Sequence, residues 1–255
     1  MTKSKSFSSK TIRNIILIVI SAIILFLLVI LGMCLFIERP AEQAVAVYQS
    51  DFVDTLILEN EDGDVEILPQ EKENIEAGII FYVGAQIRPN AYIPLFARLA
   101  ERGYACFIPD LPFNTAPLEA DAAEVIISSH PEIGSWFLGG HSLGGFAAAG
   151  FAAEHCDEID GLILLAAYAE KDMSDADLPT LSILGDNDGV LNRSLYEKRR
   201  SWNSSDFEEH IIPGGNHAQF GDYGKQPRDY DASISAQEQQ VQTAEIILDW
   251  INRQK

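Results

Sequence analysis

The chain has 255 residues, of which 38 are acidic and 18 basic, giving a net charge of −20. Only five of the basic residues and one of the acidic ones fall in the first forty positions, so the rest carries 13 basic and 37 acidic residues. So negative a surface excludes nucleic acid as a partner and repels anionic headgroups, while the length suits one domain with an appendage.

Residues 1–14 read as a basic cytoplasmic segment carrying Lys3, Lys5, Lys10 and Arg13. From Ile15 to Ile37 the chain holds no charge and is almost wholly apolar. At about 1.5 Å per residue, a helix of this run crosses a hydrocarbon core of roughly 30 Å. With only Glu38 and Arg39 close behind it, the charge bias predicts an inside N-terminus, with everything beyond Pro40 outside the cytoplasm. A cleaved secretory signal is the alternative: Ala44-Val45-Ala46 fits an A-x-A site, although the apolar run exceeds the usual roughly 7–15 residues. Leu31-Gly32-Met33-Cys34 approaches a lipoprotein cleavage box, with Met33 large where a small residue is needed. Residues 38–51 read as a linker, and 52–255 as the folded domain.

Phe52 to Leu58 and Val65 to Leu68 are expected strands of a hairpin turning at Asp62-Gly63. Ala77 to Val83 is a continuous apolar run of the buried-strand kind. Asn90 to Arg102 has helical spacing, with Gly103 as its C-cap. Then come a strand at Tyr104 to Ile108, a helix at Leu118 to Ser129, and a strand at Trp136 to Gly139. Further strands are expected at Gly161 to Ala167, Thr180 to Leu184 and Glu208 to Ile212, with helices at Leu191 to Arg200 and Gln237 to Arg253. Strands alternating with helices after an opening hairpin predict an α/β fold, its mostly parallel sheet covered on both faces. The gap from Tyr168 to Leu178 leaves little room for a lid. Cys106 and Cys156 are expected to be buried thiols, with a disulfide between them as the alternative.

Gly140-His141-Ser142-Leu143-Gly144 spells G-x-S-x-G between a strand and a small-residue helix. That context marks a nucleophile elbow, a sharp turn that lifts a serine hydroxyl to the strand end. A serine needs a base to take its proton, and the base needs an acid to orient it. Beyond Ser142, the strand ending at Leu184 opens into Gly185-Asp186-Asn187-Asp188-Gly189, and the last strand runs into Gly214-Gly215-Asn216-His217. His217 is the expected base. His130 and His155 follow helices, His210 lies in a strand, and His141 sits within the elbow pointing away from Ser142. Asp188 is preferred to Asp186 as the acid, because a residue further from the strand end can reach the histidine loop. The backbone N–H groups of Leu143 and Ala85 are the expected oxyanion donors. No spacing of cysteine and histidine suggests a metal site, and no metal or organic cofactor is expected.

These residues resemble the alpha/beta hydrolase superfamily over 52–254. The likeness rests on Gly140 to Gly145, the Gly185-x-x-Asp188 turn and the His217 loop. Phe81-Tyr82-Val83-Gly84-Ala85, Gly214 to Gly221 and Tyr223-Gly224 look like a compact, lidless bacterial subgroup. Its members are often membrane-anchored and labelled dienelactone-hydrolase-related. Dienelactone hydrolases themselves use cysteine, whereas haloalkane dehalogenases and epoxide hydrolases use aspartate; Ser142 departs from all three. The resemblance implies a Ser142–His217–Asp188 serine esterase acting on a small-molecule ester. An acyltransferase or peptidase with the same triad, or a catalytically silent binding protein on this scaffold, are the alternatives.

Overall fold

The computed structural model describes residues 9–35, 52, 55–61, 63–71, 75–111 and 121–254. The chain divides into two compact units, Met1–Ile37 and Glu38–Lys255.

The described residues of the first unit form the helix α1 (Ser9–Leu35), rich in isoleucine and leucine. Its described apolar side chains, such as Ile18 and Phe26, are exposed. Among the described residues no helix is long and apolar enough to cross a membrane. The expected transmembrane helix over 15–37 is therefore not carried by these residues. Lys3, Lys5 and the linker 38–51 lie outside the described residues.

The second unit is an eight-stranded sheet. In chain order the strands are β1 (Thr55–Glu59), β2 (Val65–Pro69), β3 (Ala77–Tyr82), β4 (Tyr104–Ile108), β5 (Trp136–His141), β6 (Gly161–Leu165), β7 (Thr180–Gly185) and β8 (Phe207–Ile212). In space they run β1-β2-β4-β3-β5-β6-β7-β8. The pairs β1·β2 and β2·β4 are antiparallel; from β4 to β8 every pair is parallel. Among the described residues, the strands alternate with the α-helices α2 (Ile93–Ala100), α3 (Ala122–Ser129), α4 (Leu143–Glu154), α5 (Arg193–Arg199) and α6 (Ala236–Gln254).

Two cores explain the uninterrupted apolar strands. Successive side chains of a strand point to opposite faces. Ile79, Phe81 and Val83 of the β3 region join Leu95, Phe96, Ile247 and Trp250 in one cluster, beneath α2 and α6. Ile80 and Tyr82 join Leu138, Ala148 and Phe151 in the other, beneath α3 and α4. The strands β3 to β7 are thus buried on both faces and lose the alternation with polar residues, whereas the edge strands β1 and β8 are partly exposed.

Several boundaries differ from expectation. The hairpin closes through a five-residue loop, Glu59 pairing with Val65, so the first strand runs one residue past the expected Leu58. Asn60 and Asp64 bind each other's backbone and side chains across it, which fixes the loop; Asp62 lies outside the described residues. The helix expected from Asn90 begins as a 3₁₀ turn, Pro89–Tyr92, and becomes α-helical at Ile93. Pro94 fits an early helical position, where its missing N–H is not needed. Residues 118–120 of the next expected helix lie outside the described residues. Cys106 and Cys156 are free thiols, and Cys156 is only half-buried.

Candidate active site

Ser142 sits between β5 and α4 at φ 55° and ψ −118°, a region that side chains larger than glycine's occupy only under strain. The turn is held there by its surroundings. The N–H of Ser142 donates to Leu165 O on β6 at 2.9 Å, and its carbonyl accepts from Phe146 N at 3.0 Å. Gly144 allows the start of α4 to lie on the end of β3: a Cβ there would come within 2.2 Å of Tyr82 O and 2.3 Å of Val83 O. Strand, turn and helix are thus locked by backbone packing alone.

His217 and Asp188 come from loops after β8 and β7, adjacent parallel strands whose carboxyl ends face the same side of the sheet. His217 Nδ1 lies 2.9 Å from Asp188 Oδ2, and the two side chains are almost fully buried. Asp188 Oδ1 accepts the N–H groups of Val190 and Leu191, each at 2.8 Å. Burial pushes the Asp188 carboxyl up, but the hydrogen bond and charge of His217, helped by these two N–H groups, hold it below the usual carboxylate range. An ionised Asp188 only accepts, so Nδ1 of His217 carries the proton and Nε2 is left as an acceptor. That nitrogen is buried without a hydrogen-bond partner. Asp186 stands apart: its Oδ1 accepts Gly214 N–H at 2.7 Å, bracing the turn that leads to His217.

Ser142, Leu143 and His217 line one cavity of about 300 Å³. Its walls are mostly apolar, from Phe146, Ala166, Ala167, Tyr168, Val190 and Leu191. Behind the wall, the Arg199 guanidinium lies 5.6 Å from the Phe146 ring and 5.3 Å from that of Tyr168, and donates to Ala169 O at 3.0 Å. Ala85 is not part of this lining; it stands in the turn after β3, where Ile87 N–H donates to Gly84 O at 3.1 Å. The other histidines lie elsewhere: His130 beside Glu132, His155 beside Glu158 and His210 beside Glu208. Among the described residues, no group of three or more His, Cys, Asp or Glu is placed to hold a metal ion.

Sequence reasoning missed what surrounds the base. The His141 ring lies 4.6 Å from that of His217, tilted by 47°. Tyr92 Oη accepts Gly84 N–H at 3.1 Å and shares a hydrogen bond with His141 Nδ1 at 2.8 Å. Burial above all, and then the nearby His217, hold His141 well below its ordinary value, against a smaller opposing contribution from the His217 backbone. Burial likewise raises Tyr92, so this pair is neutral. It ties the turn carrying Ala85 to the elbow strand. The polar H in a buried strand was the only available hint, and it has no spacing that would name Tyr92.

A sequence model of the Alpha/beta hydrolase family matches residues 78–241. No curated protein matches the chain. Among solved structures it is similar to a putative lipase from Acinetobacter baumannii AYE, with TM-score 0.60 and 12% identity, over 84% of this chain and 97% of that one. A predicted CIB-like hydrolase from Thermoplasma acidophilum gives TM-score 0.58 and 17% identity over 76% and 98%. Est1E from Butyrivibrio proteoclasticus gives 0.56 and 14% over 78% and 100%. At such identities the likeness is one of fold.

Proposed function

The chain belongs to the alpha/beta hydrolase family, and from that premise we propose that it is a serine hydrolase cleaving carboxylic esters. Ser142 Oγ attacks the acyl carbon while His217 Nε2 takes its proton, and Asp188 holds the imidazolium through Nδ1–H. The developing oxyanion is met by the N–H groups of Leu143 and Ala85. Collapse breaks the ester bond, and the leaving alcohol takes the proton from His217. Water then gives a proton to His217 as it attacks the acyl-enzyme. The second collapse frees the carboxylic acid and returns the proton to Ser142. Water is the only co-reactant.

The observation that carries this reading is the 2.9 Å His217–Asp188 pair, with Ser142 and His217 on one cavity. The mostly apolar wall of that cavity favours an apolar acyl or alcohol group over a charged one. The protein should react with a fluorophosphonate probe at Ser142 and turn over p-nitrophenyl esters. Absence of both in folded protein would leave a silent scaffold instead.

We also propose that the segment 15–37, which runs beyond the described residues, tethers the domain to the cytoplasmic membrane, catalytic part outside. Support comes from the uncharged run Ile15 to Ile37 and the basic residues before it. Protease added to protoplasts should digest the domain. Protection would reverse the topology, and a mature N-terminus at Val47 would mean a cleaved, secreted form.

A further inference from the structure

The segment after the base, Gly221 to Tyr230, has no part in the triad, yet its end returns to the site. Asp229 is the point of return. Its Oδ1 accepts the N–H of Gly189 at 3.0 Å, and its Oδ2 accepts the N–H of Ala218 at 2.9 Å. Gly189 follows Asp188 in the chain, and Ala218 follows His217. One carboxylate therefore holds the peptide immediately beyond the acid and the peptide immediately beyond the base.

Three other features bring Asp229 to that place. Arg228 before it has φ +74°, a left-handed conformation that a side chain adopts only when its surroundings impose it. Gly189 lies so close to the strap that a Cβ there would fall 2.5 Å from Arg228 O and 3.0 Å from Tyr230 N. Asn216, just before the base, donates its Nδ2 to Tyr230 O at 2.8 Å. Its backbone is gripped on the other side by Gln239 of α6, whose Oε1 accepts the Asn216 N–H and whose Nε2 donates to its carbonyl, each at 2.9 Å.

We propose that Asp229 is a positioning residue that sets the mutual geometry of Asp188 and His217 by fixing the residue after each. The inference rests on the assignment of Asp188 and His217 as acid and base. Only an ionised carboxylate can do this with one side chain. Its two oxygens each accept a backbone N–H, and bonds to a charged acceptor are about twice as strong as neutral ones. An amide at 229 would accept one N–H and turn a second donor against the other, releasing one loop from its partner.

The test uses the full chain with Asp229→Asn, Asp229→Glu and Asp229→Ala. It reads kcat and KM on a p-nitrophenyl ester, melting temperature, and the downfield proton resonance of the Asp188–His217 hydrogen bond. Asp229→Asn is expected to lower kcat by about 10²-fold, as a displacement near 1 Å does, with KM little changed. The downfield resonance should weaken or move upfield, and Asp229→Glu should recover part of kcat. Gly189→Ala breaks the strap independently, through the clash with Arg228 O, and should lower kcat in the same way. A folded Asp229→Asn protein with unchanged kcat and an unchanged resonance overturns the proposal. So does a lower melting temperature alone, with normal kcat below it. Ser142→Ala separates the two claims. If it stays active, the triad reading is wrong; if it is dead while the Asp229 variants are normal, only the positioning role is.

Discussion

From Trp136 to Glu154 the proposed nucleophile is held by backbone: β5 pairs on two sides, Ser142 N–H reaches β6, and α4 packs on β3 through Gly144. From Gly185 to Tyr230 the proposed acid and base are held by side chains: Asp186 on Gly214, Asp229 on Gly189 and Ala218, and Gln239 on Asn216. The first region fixes one atom by steric exclusion and tolerates almost no added volume. The second fixes two side chains by polar bonds, each removable singly. The strained turn has one solution, whereas the loops are tuned by Asp186, Asp229 and Gln239, which lie outside the lining of the cavity.

The largest break is at the nucleophile. Ser142→Ala should lower ester turnover by roughly 10⁴–10⁶-fold while the melting temperature holds or rises. Near-normal hydrolysis by the folded variant would end the assignment. Next comes the acid: Asp188→Asn should cost about 10⁴-fold, because an amide favours the wrong His217 tautomer. Asp186→Asn should cost far less, since Asp186 braces only Gly214 N–H. A reversed order of these two would move the acid to 186. Gly144→Ala tests the backbone side of the contrast. Its methyl group has no space between Tyr82 O and Val83 O, and overpacking of this kind costs about 1–3 kcal/mol. Chemical denaturation should show that loss, whereas the polar loop variants should lose turnover first.

The smallest effect is on acid stability. His141 is buried and held neutral, so its folded-state value lies below the unfolded one of about 6.5. Below that pH the unfolded chain binds the extra proton. The contribution of His141 is whole above about pH 6.5 and is lost as pH falls toward the depressed folded value. His141→Gln should flatten the decline of the urea midpoint between about pH 6.5 and 5. An unaltered slope would mean that other groups dominate the acid limb.

How far each region was legible follows the same division. The elbow is contiguous, and sterics demand its glycines, so six residues announce it. The order Ser142, Asp188, His217 and the choice of Asp188 over Asp186 follow from reach along the chain, and the structure pairs His217 with Asp188. Tyr92 and Asp229 were not legible, because a bond between residues far apart in sequence leaves no spacing to read. His141 was read as merely turned away from Ser142, yet its ring supports the base. The hairpin was legible from its turn signal, whereas the bonds by which Asn60 and Asp64 close its loop were not.

Ser142 keeps a backbone conformation that only glycine adopts at ease. Glycine at 142 would relieve about 1–3 kcal/mol, more than the roughly 0.5–1 kcal/mol its freer unfolded chain costs. A single change would thus remove the proposed nucleophile and steady the protein together. In a duplicated copy released from selection, drift toward inactivity leads to a tougher fold instead of a ruined one. Inactive descendants of this chain should accumulate as heat-resistant proteins with glycine at the head of the helix.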